Sequence, residues 1–573
     1  MRPSSGALID SSAVDYVMVA LYFVFVLGIG AVLRRSVSGS MDFFLSGRSL
    51  PAWVTGLAFI SANLGAVEVM GMSATGAQIG VATVHYFWVG AIPAMLFLGV
   101  VMMPFYYGSK VRSVPEFMLR RFGTGAHLVN ALSFAVAQLL VAGVNLYLLA
   151  SIINALLGWP QWVALLVSAA IVLSYITLGG LSAAIYNEVL QFFVIVAALV
   201  PLTILGLHKV SGYSGLKEKI TSAAAANPHI TPADQQLHSW PGNALSGFNS
   251  PVLSVIGIVF GLGFVLSFGY WTTNFVEVQR AMASESMSAA RKTPIIGSFP
   301  KMLVPFIVIL PGMIAAVLVP EIAALKNGGT PPGGASGKGV TYNDSLLLLM
   351  RDVLPNGLLG LAVAGLLAAF MAGMAANVSA FNTVFSFDLW QRYVVKDKPD
   401  HYYLSVGRVA TVAATVIAIF TATIAGNFSN IMDYIQTLFG FFNAPLFATF
   451  ILGMFWKRMT ATAGWVGLVA GTLAAITVWV LGNPNLVGVF QLPGQGLAFV
   501  AASTAFVVDV LVSIIVSMFT EPKPDSELRG LVYSETPKDE LRDPTEAAMP
   551  WYRRTVPLAC LSLAMVVVLN ILI

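Results

Sequence analysis

Apolar residues in this chain do not alternate as in a half-buried strand, nor do they form the one-sided stripe of a soluble helix. They come in long runs separated by short charged segments. A helix crossing about 30 Å of hydrocarbon needs roughly 20 mostly apolar residues, and its backbone must satisfy itself internally because no water reaches that depth. On that rule the pattern predicts about 14 transmembrane helices, at 13–33, 52–78, 85–107, 126–157, 160–178, 182–208, 251–275, 297–320, 345–388, 404–426, 430–455, 461–481, 495–517 and 555–573. The first run, Ala13 to Leu33, is longer than a signal-peptide core and is followed directly by Arg34 and Arg35, so it is read as a retained helix.

Composition agrees with this all-α membrane reading. The chain is 57% hydrophobic and 10% charged, against about 25% charged in an ordinary soluble domain. A net charge of +4 would suit nucleic acid, but the basic residues lie scattered between apolar runs, so no nucleic-acid partner is expected. The lipid bilayer is the partner they fit. The single cysteine, Cys560, rules out a disulfide framework or a Cys-based zinc site. Loops 34–51, 108–125, 276–296, 389–403, 456–460 and 518–554 hold 21 Lys and Arg, the alternate set 6. That bias places the first set in the cytoplasm and both termini outside an inner membrane. External loops Lys209–Ser250 and Glu321–Asn343 read as caps or mobile segments, and Glu521–Arg554 as a solvated linker.

Interrupted helices in corresponding halves mark transport sites, because unwound backbone can bind ions and solute at the midplane. Two spans qualify, five apart. The first carries Ser61, Ala62, Asn63, Leu64, Gly65 and Ala66 at its centre; in the other, Gly261, Gly263 and Gly269 bracket a polar and aromatic patch. Close helix packing would also explain the glycines. Ser267, Tyr270 and Asn274 share one helix face by spacing, and a polar stripe in lipid should face a cavity. Glu68, just past the first break, either serves the site or only bonds unwound amides. Lys301, a few residues inside the eighth span, either serves the site or snorkels. His85 is read as interfacial.

From about Met41 to Arg458 the chain resembles the sodium:solute symporter family, most closely its sodium/galactose (sodium/glucose) branch. The matching stretches are DFFLSGRSLPAW, SANLGAVEVMGMSATG, VPEFMLRRF, TLGGLSAAIYNEVLQFF, VEVQRAMAS, KMLVPFIVILPGM, FNTVFSFDLW, and YIQ followed by FWKR. The resemblance implies an extra N-terminal helix with its loop (1–51), inverted repeats at 52–208 and 251–456 around external loop 209–250, and C-terminal helices at 457–573 with a cytoplasmic linker at 518–554. This is a five-plus-five core whose first and sixth helices are broken. It also implies that Tyr270 closes the solute site from the cytoplasm, that Lys301, Gln436 and Asn63 contact solute, and that Glu188 is the acid of the ion-exit region.

The departures bear on substrate and ion. The family's galactose-binding glutamine is replaced by Glu68, its glutamate by Phe87, and two asparagines by Ser267 and Val141. A small polar solute, a sugar or related hydroxylated compound, is expected rather than galactose itself. The sodium ligands implied are carbonyls of Ser61, Leu64 and Ala369 plus two hydroxyls, yet Ala372 and Gly373 stand where the hydroxyls belong. Hard cations need oxygen ligands, so three outcomes stay open: sodium kept with help from Glu68 or Asn377, coupling moved to protons, or coupling lost. Other classes are a solute sensor, which would need a signalling partner, and a membrane enzyme, which would need a nucleophile with its base or an HExxH cluster. No obligatory protein partner is evident in the sequence.

Overall fold

Long apolar runs become helices here because each backbone group finds its partner four residues away. The computed structural model describes residues 9, 11–33, 48–111, 113–228, 230–240, 257–331, 339–428, 430–490, 492, 495–539, 541 and 543–572. In chain order the main helices begin with α1 (Ala13–Leu33), the half-helices α2 (Ala52–Asn63) and α3 (Ala66–Ile79), and α4 (Val81–Gly108). Next are α5 (Val114–Phe122), α6 (Thr124–Leu157) and α7 (Gln161–Lys209). A second pair of half-helices follows, α8 (Gly257–Thr273) and α9 (Phe275–Met282), then α10 (Met287–Leu318), α11 (Ser345–Val353) and α12 (Leu358–Val394). The chain ends with α13 (Asp400–Ala425), α14 (Ile431–Phe455), α15 (Ala461–Gly482), α16 (Gly496–Phe519) and α17 (Thr555–Leu572).

Among the described residues 10 helices are long and apolar enough to cross a membrane, 12 if each bent pair is one span. The two expected spans left over coincide with the shorter apolar stretches Ala13–Val26 and Gln161–Leu173. Expected spans 160–178 and 182–208 correspond to the apolar stretches Gln161–Leu173 and Ala184–Lys209, both within α7. Span 345–388 is two helices instead. Pro355 lacks an amide hydrogen and Gly357 sits at φ +88, so the chain turns between α11 and α12. Lys301 lies near the middle of α10, is 2% exposed and cannot snorkel.

The loops differ from their reading too. The linker is docked rather than solvated: Leu528 and Val532 are fully buried, Tyr533 N donates to Met454 O at 2.8 Å, and Glu546 pairs with Arg291 at 3.3 Å. Its alternating charges concealed those apolar anchors. At the loop 209–250, His85 is buried rather than interfacial, with Nε2 2.8 Å from Ser239 O and Trp240 packed on its ring. Residues 241–250 of that loop and 332–338 of the next lie outside the described residues.

Helix α3 positions the site, and small residues let it approach its neighbours. A Cβ on Gly65 would lie 3.1 Å from Gly373 Cα of α12, and one on Gly71 2.9 Å from the Met432 side chain of α14. On α10, a Cβ at Gly312 would fall 1.9 Å from Ser73 O. Backbones this close gain dispersion contacts that lipid cannot match. Gly312→Ala is therefore expected to cost more than the roughly 1–3 kcal/mol of ordinary overpacking, read as a lower apparent melting temperature in detergent. Gly28→Ala, which meets nothing within 4 Å, should leave it unchanged.

Candidate functional site

Helix α2 stops because Leu64 leaves the helical region (ψ 45) and Gly65 is extended (ψ 177), so α3 restarts with a bend of 54°. Gly65 is required there by its approach to Gly373. The second break falls at Asn274, where ψ is 115 and the bend is 47°. Asn274 N still donates to Tyr270 O, while its Oδ1 caps the next helix by accepting from Val276 N at 3.0 Å. The stripe expected from Ser267, Tyr270 and Asn274 is thus divided: the first two lie on α8, and Asn274 makes the break.

Between the breaks lies a cavity of about 120 Å³, room for several waters at the ~10–15 Å³ each needs. Asn63, Glu68, Ser267, Tyr270, Asn274, Lys301 and Gln436 all line it. Lys301 Nζ donates to both Asn63 Oδ1 and Glu68 Oε1. Asn63 Nδ2 donates to the Tyr270 hydroxyl at 2.9 Å, and that hydroxyl donates to Glu277 Oε1 at 2.6 Å. Phe87 does not line the cavity; its ring centroid lies 4.7 Å from Lys301 Nζ, close enough for cation–π attraction. Tyr270 packs against Phe439 of α14 at 4.8 Å. Polar, aromatic and charged groups thus converge, and two carboxylate oxygens of this network, Glu68 Oε2 and Glu277 Oε2, have no hydrogen-bond partner.

Three lining or supporting residues escaped the sequence reading. Gln138 and Asn145 sit on α6 with Val141 between them, all lining the cavity. Their spacing of three and four residues puts them on one face, a signal hidden within a long apolar run. Glu277 was assigned to a loop because span seven was ended at residue 275.

The sodium-site positions cluster at the first break. Ser61, Leu64, Ala369 and Ala372 are fully buried, and the Ala369 carbonyl lies 3.5 Å from where a Gly65 Cβ would be. A Cβ at Gly373 would lie 3.0 Å from Asn145 Oδ1 and 3.2 Å from Gly65 Cα. The space of the missing hydroxyl is therefore taken by an amide oxygen from α6, which has no hydrogen-bond partner. Its Nδ2 donates to Val141 O, which sets the amide's orientation. Asn377 Nδ2 donates to Gly373 O at 2.8 Å. Glu188 stands apart from the cavity, fully buried against Arg280 at 2.6 Å. Arg280, counted with loop 276–296 by sequence, is inside the protein.

Removing one member of a buried ion pair strands the other, at about 3–5 kcal/mol. Lys301→Met should cost that much in apparent thermal stability, and adding Glu68→Gln to it should recover more than half. Additive losses would mean that the two side chains are not coupled.

Comparison with known proteins agrees with this geometry. The sodium:solute symporter family model matches residues 43–471. The sodium/glucose cotransporter of Vibrio parahaemolyticus is 29% identical over 474 residues, covering 80% of this chain and 84% of its own length. Sodium/glucose cotransporter 4 of Danio rerio is 30% identical over 554 residues, covering 93% and 83%. A Na+-coupled sialic acid symporter, solved substrate-bound and outward-open, shares the fold with a TM-score of 0.72 at 19% identity, over 90% of this chain and 99% of that one. The family match contains both breaks, Lys301 and Gln436, and the chain belongs to the sodium:solute symporter family.

Proposed function

We propose that this chain is a sodium-coupled symporter importing a small hydroxylated solute, a sugar or related compound, by alternating access. The observation that carries this reading is the cavity at the meeting of two broken helices, lined by Asn63, Glu68, Ser267, Tyr270, Lys301 and Gln436. Half-helix ends leave backbone groups free to bind solute and ion without a dedicated cage. The names of the sodium/glucose cotransporters among the relatives support both sodium and a sugar.

Charge favours a neutral solute. Lys301 alone would attract an anion, but Glu68 already neutralises it. What remains is a cluster of hydrogen-bonding groups beside aromatic rings, which suits hydroxyls. Sodium fits the first break despite the missing serine hydroxyls. Two buried oxygens there, Ser61 Oγ and Asn145 Oδ1, have no hydrogen-bond partner, and carbonyl and amide oxygens are what a hard cation takes. Serine at Gly373 would bring its Cβ to 3.0 Å from Asn145 Oδ1 and 3.2 Å from Gly65 Cα, so it restores a hydroxyl only by pushing both aside.

Uptake of labelled glucose and galactose into proteoliposomes, with an inward sodium, choline or proton gradient, tests the reading. Sodium is expected to drive accumulation and choline not to. Glu68→Gln should abolish accumulation while leaving exchange down a solute gradient, because the amide keeps its hydrogen-bonding capacity. Accumulation by Glu68→Gln at the wild-type level would make Glu68 structural.

The orientation follows from the charge bias, which is still 18 to 6 once the buried Arg121, Arg280 and Arg291 are set aside. In a Cys560→Ser background, cysteines placed in 521–554 should resist an impermeant thiol reagent in intact cells, and labelling there would invert the topology.

A further inference from the structure

Glu68 and Lys301 line the cavity, Glu277, Arg280 and Glu188 are buried away from its lining, and the charges of these five side chains do not balance. Lys301 pairs with Glu68, and Arg280 with Glu188, which occupies both cations. The third carboxylate, Glu277, is fully buried and makes no ion pair among the described residues. Arg280 is committed elsewhere: Nε and one terminal nitrogen donate to Glu188, and the other donates to Val276 O and Gln279 Oε1. Glu277 Oε1 accepts the Tyr270 hydroxyl at 2.6 Å, and Oε2 has no partner. A lone carboxylate at membrane depth is costly enough that it takes a proton or recruits a cation.

We infer that Glu277 is a proton-binding site, and that its proton controls the Tyr270 contact beneath the cavity. A hydroxyl donated to an ionised oxygen makes a bond roughly twice as strong as one to a neutral oxygen. While ionised, Glu277 holds Tyr270, and through it Asn63, across the two breaks. A proton from water binding at Oε2 neutralises the group, weakens that bond and frees the ring to swing; the same proton returns to water when the contact reforms. Asn63 and Lys301 stay bonded to each other in both states.

The elements around α9 bring few competing charges. Helix α8 presents Tyr270, α10 Lys301 and α3 Glu68, while α7 contributes Glu188 through Arg280. Helix α2 offers the neutral Asn63, α12 the hydroxyls of Ser379 and Thr383 on Gln279, and the end of α4 Tyr106, which donates to Thr272 O. Arg280, three residues further along α9, and Lys301 are the cations that act on Glu277, and Glu188 and Glu68 already hold them.

The inference rests on the cavity being the transport site, and its test needs neither the solute nor the coupling ion, so it fails separately from the proposed function. Infrared difference spectra of the full chain in lipid are recorded between about pH 5 and 9, the range into which buried carboxyls move. In parallel, a thiol reagent probes Ile435→Cys, which lines the cavity, in a Cys560→Ser background, with labelling expressed throughout relative to a small-molecule thiol at the same pH because only the thiolate reacts. In the wild type a carboxylic-acid carbonyl band is expected to grow as pH falls, with labelling rising alongside it. Glu277→Gln should lose the Glu277 share of the band, leaving only that of other buried acids such as Asp509, and should label at one pH-independent relative rate. Tyr270→Phe should keep the band and also label independently of pH, so the test stands even if Glu277→Gln does not fold. No titrating band in the wild type, or the same band in Glu277→Gln, overturns the proton site. Labelling that follows pH in Tyr270→Phe as it does in the wild type overturns its control of the contact.

Discussion

One ammonium group joins the parts of this transporter. Lys301, in the middle of α10, donates to Asn63 at the end of α2 and to Glu68 at the start of α3, so it spans the first break from outside it. Asn63 passes the connection to Tyr270 on α8, next to the second break. Without these bonds the polar side chains flanking the breaks would be left unpaired in a low-dielectric interior. The rest of the site follows from keeping that ammonium dry: Phe87 and Trp271 present their rings to it at 4.7 and 5.3 Å, and α3 is pressed into place by its small residues.

The same constraint shapes the chemistry. A buried ammonium with one carboxylate partner is electrically quiet, so what the cavity offers a solute is hydrogen bonds and aromatic faces rather than charge. A second carboxylate beneath, without a cation of its own, gives the protein a group whose charge can change without disturbing the first pair. At the first break, the amide of Asn145 occupies the room of a lost hydroxyl, and a Cβ at Gly373 would have to push that amide and Gly65 aside by a few tenths of an ångström.

Much of this was legible in the sequence, for identifiable reasons. Helix-averse residues at 61–66 and an acid at 68 announced the first break, and run length announced most of the spans. Asn274 was misread because it breaks its helix as a cap, without a glycine, and a polar residue at helical spacing looks like part of a stripe. Ending the span there sent Glu277 and Arg280 into a loop. Gln138 and Asn145 were lost inside a 34-residue helix where two amides barely dent the hydropathy. The crowding at Gly373 and the docking of Leu528 and Val532 are contacts between segments far apart in the chain, which no local pattern reports.

If Lys301 makes the two breaks one unit, they should respond to the coupling ion together. Hydrogen–deuterium exchange of peptides covering 60–68 and 270–278, with sodium chloride against choline chloride, measures this directly. The account predicts that sodium slows exchange at both breaks in the wild type, and that in Lys301→Met the slowing at 270–278 is lost. Slowing confined to 60–68 in the wild type, or parallel slowing that survives in Lys301→Met, would contradict it.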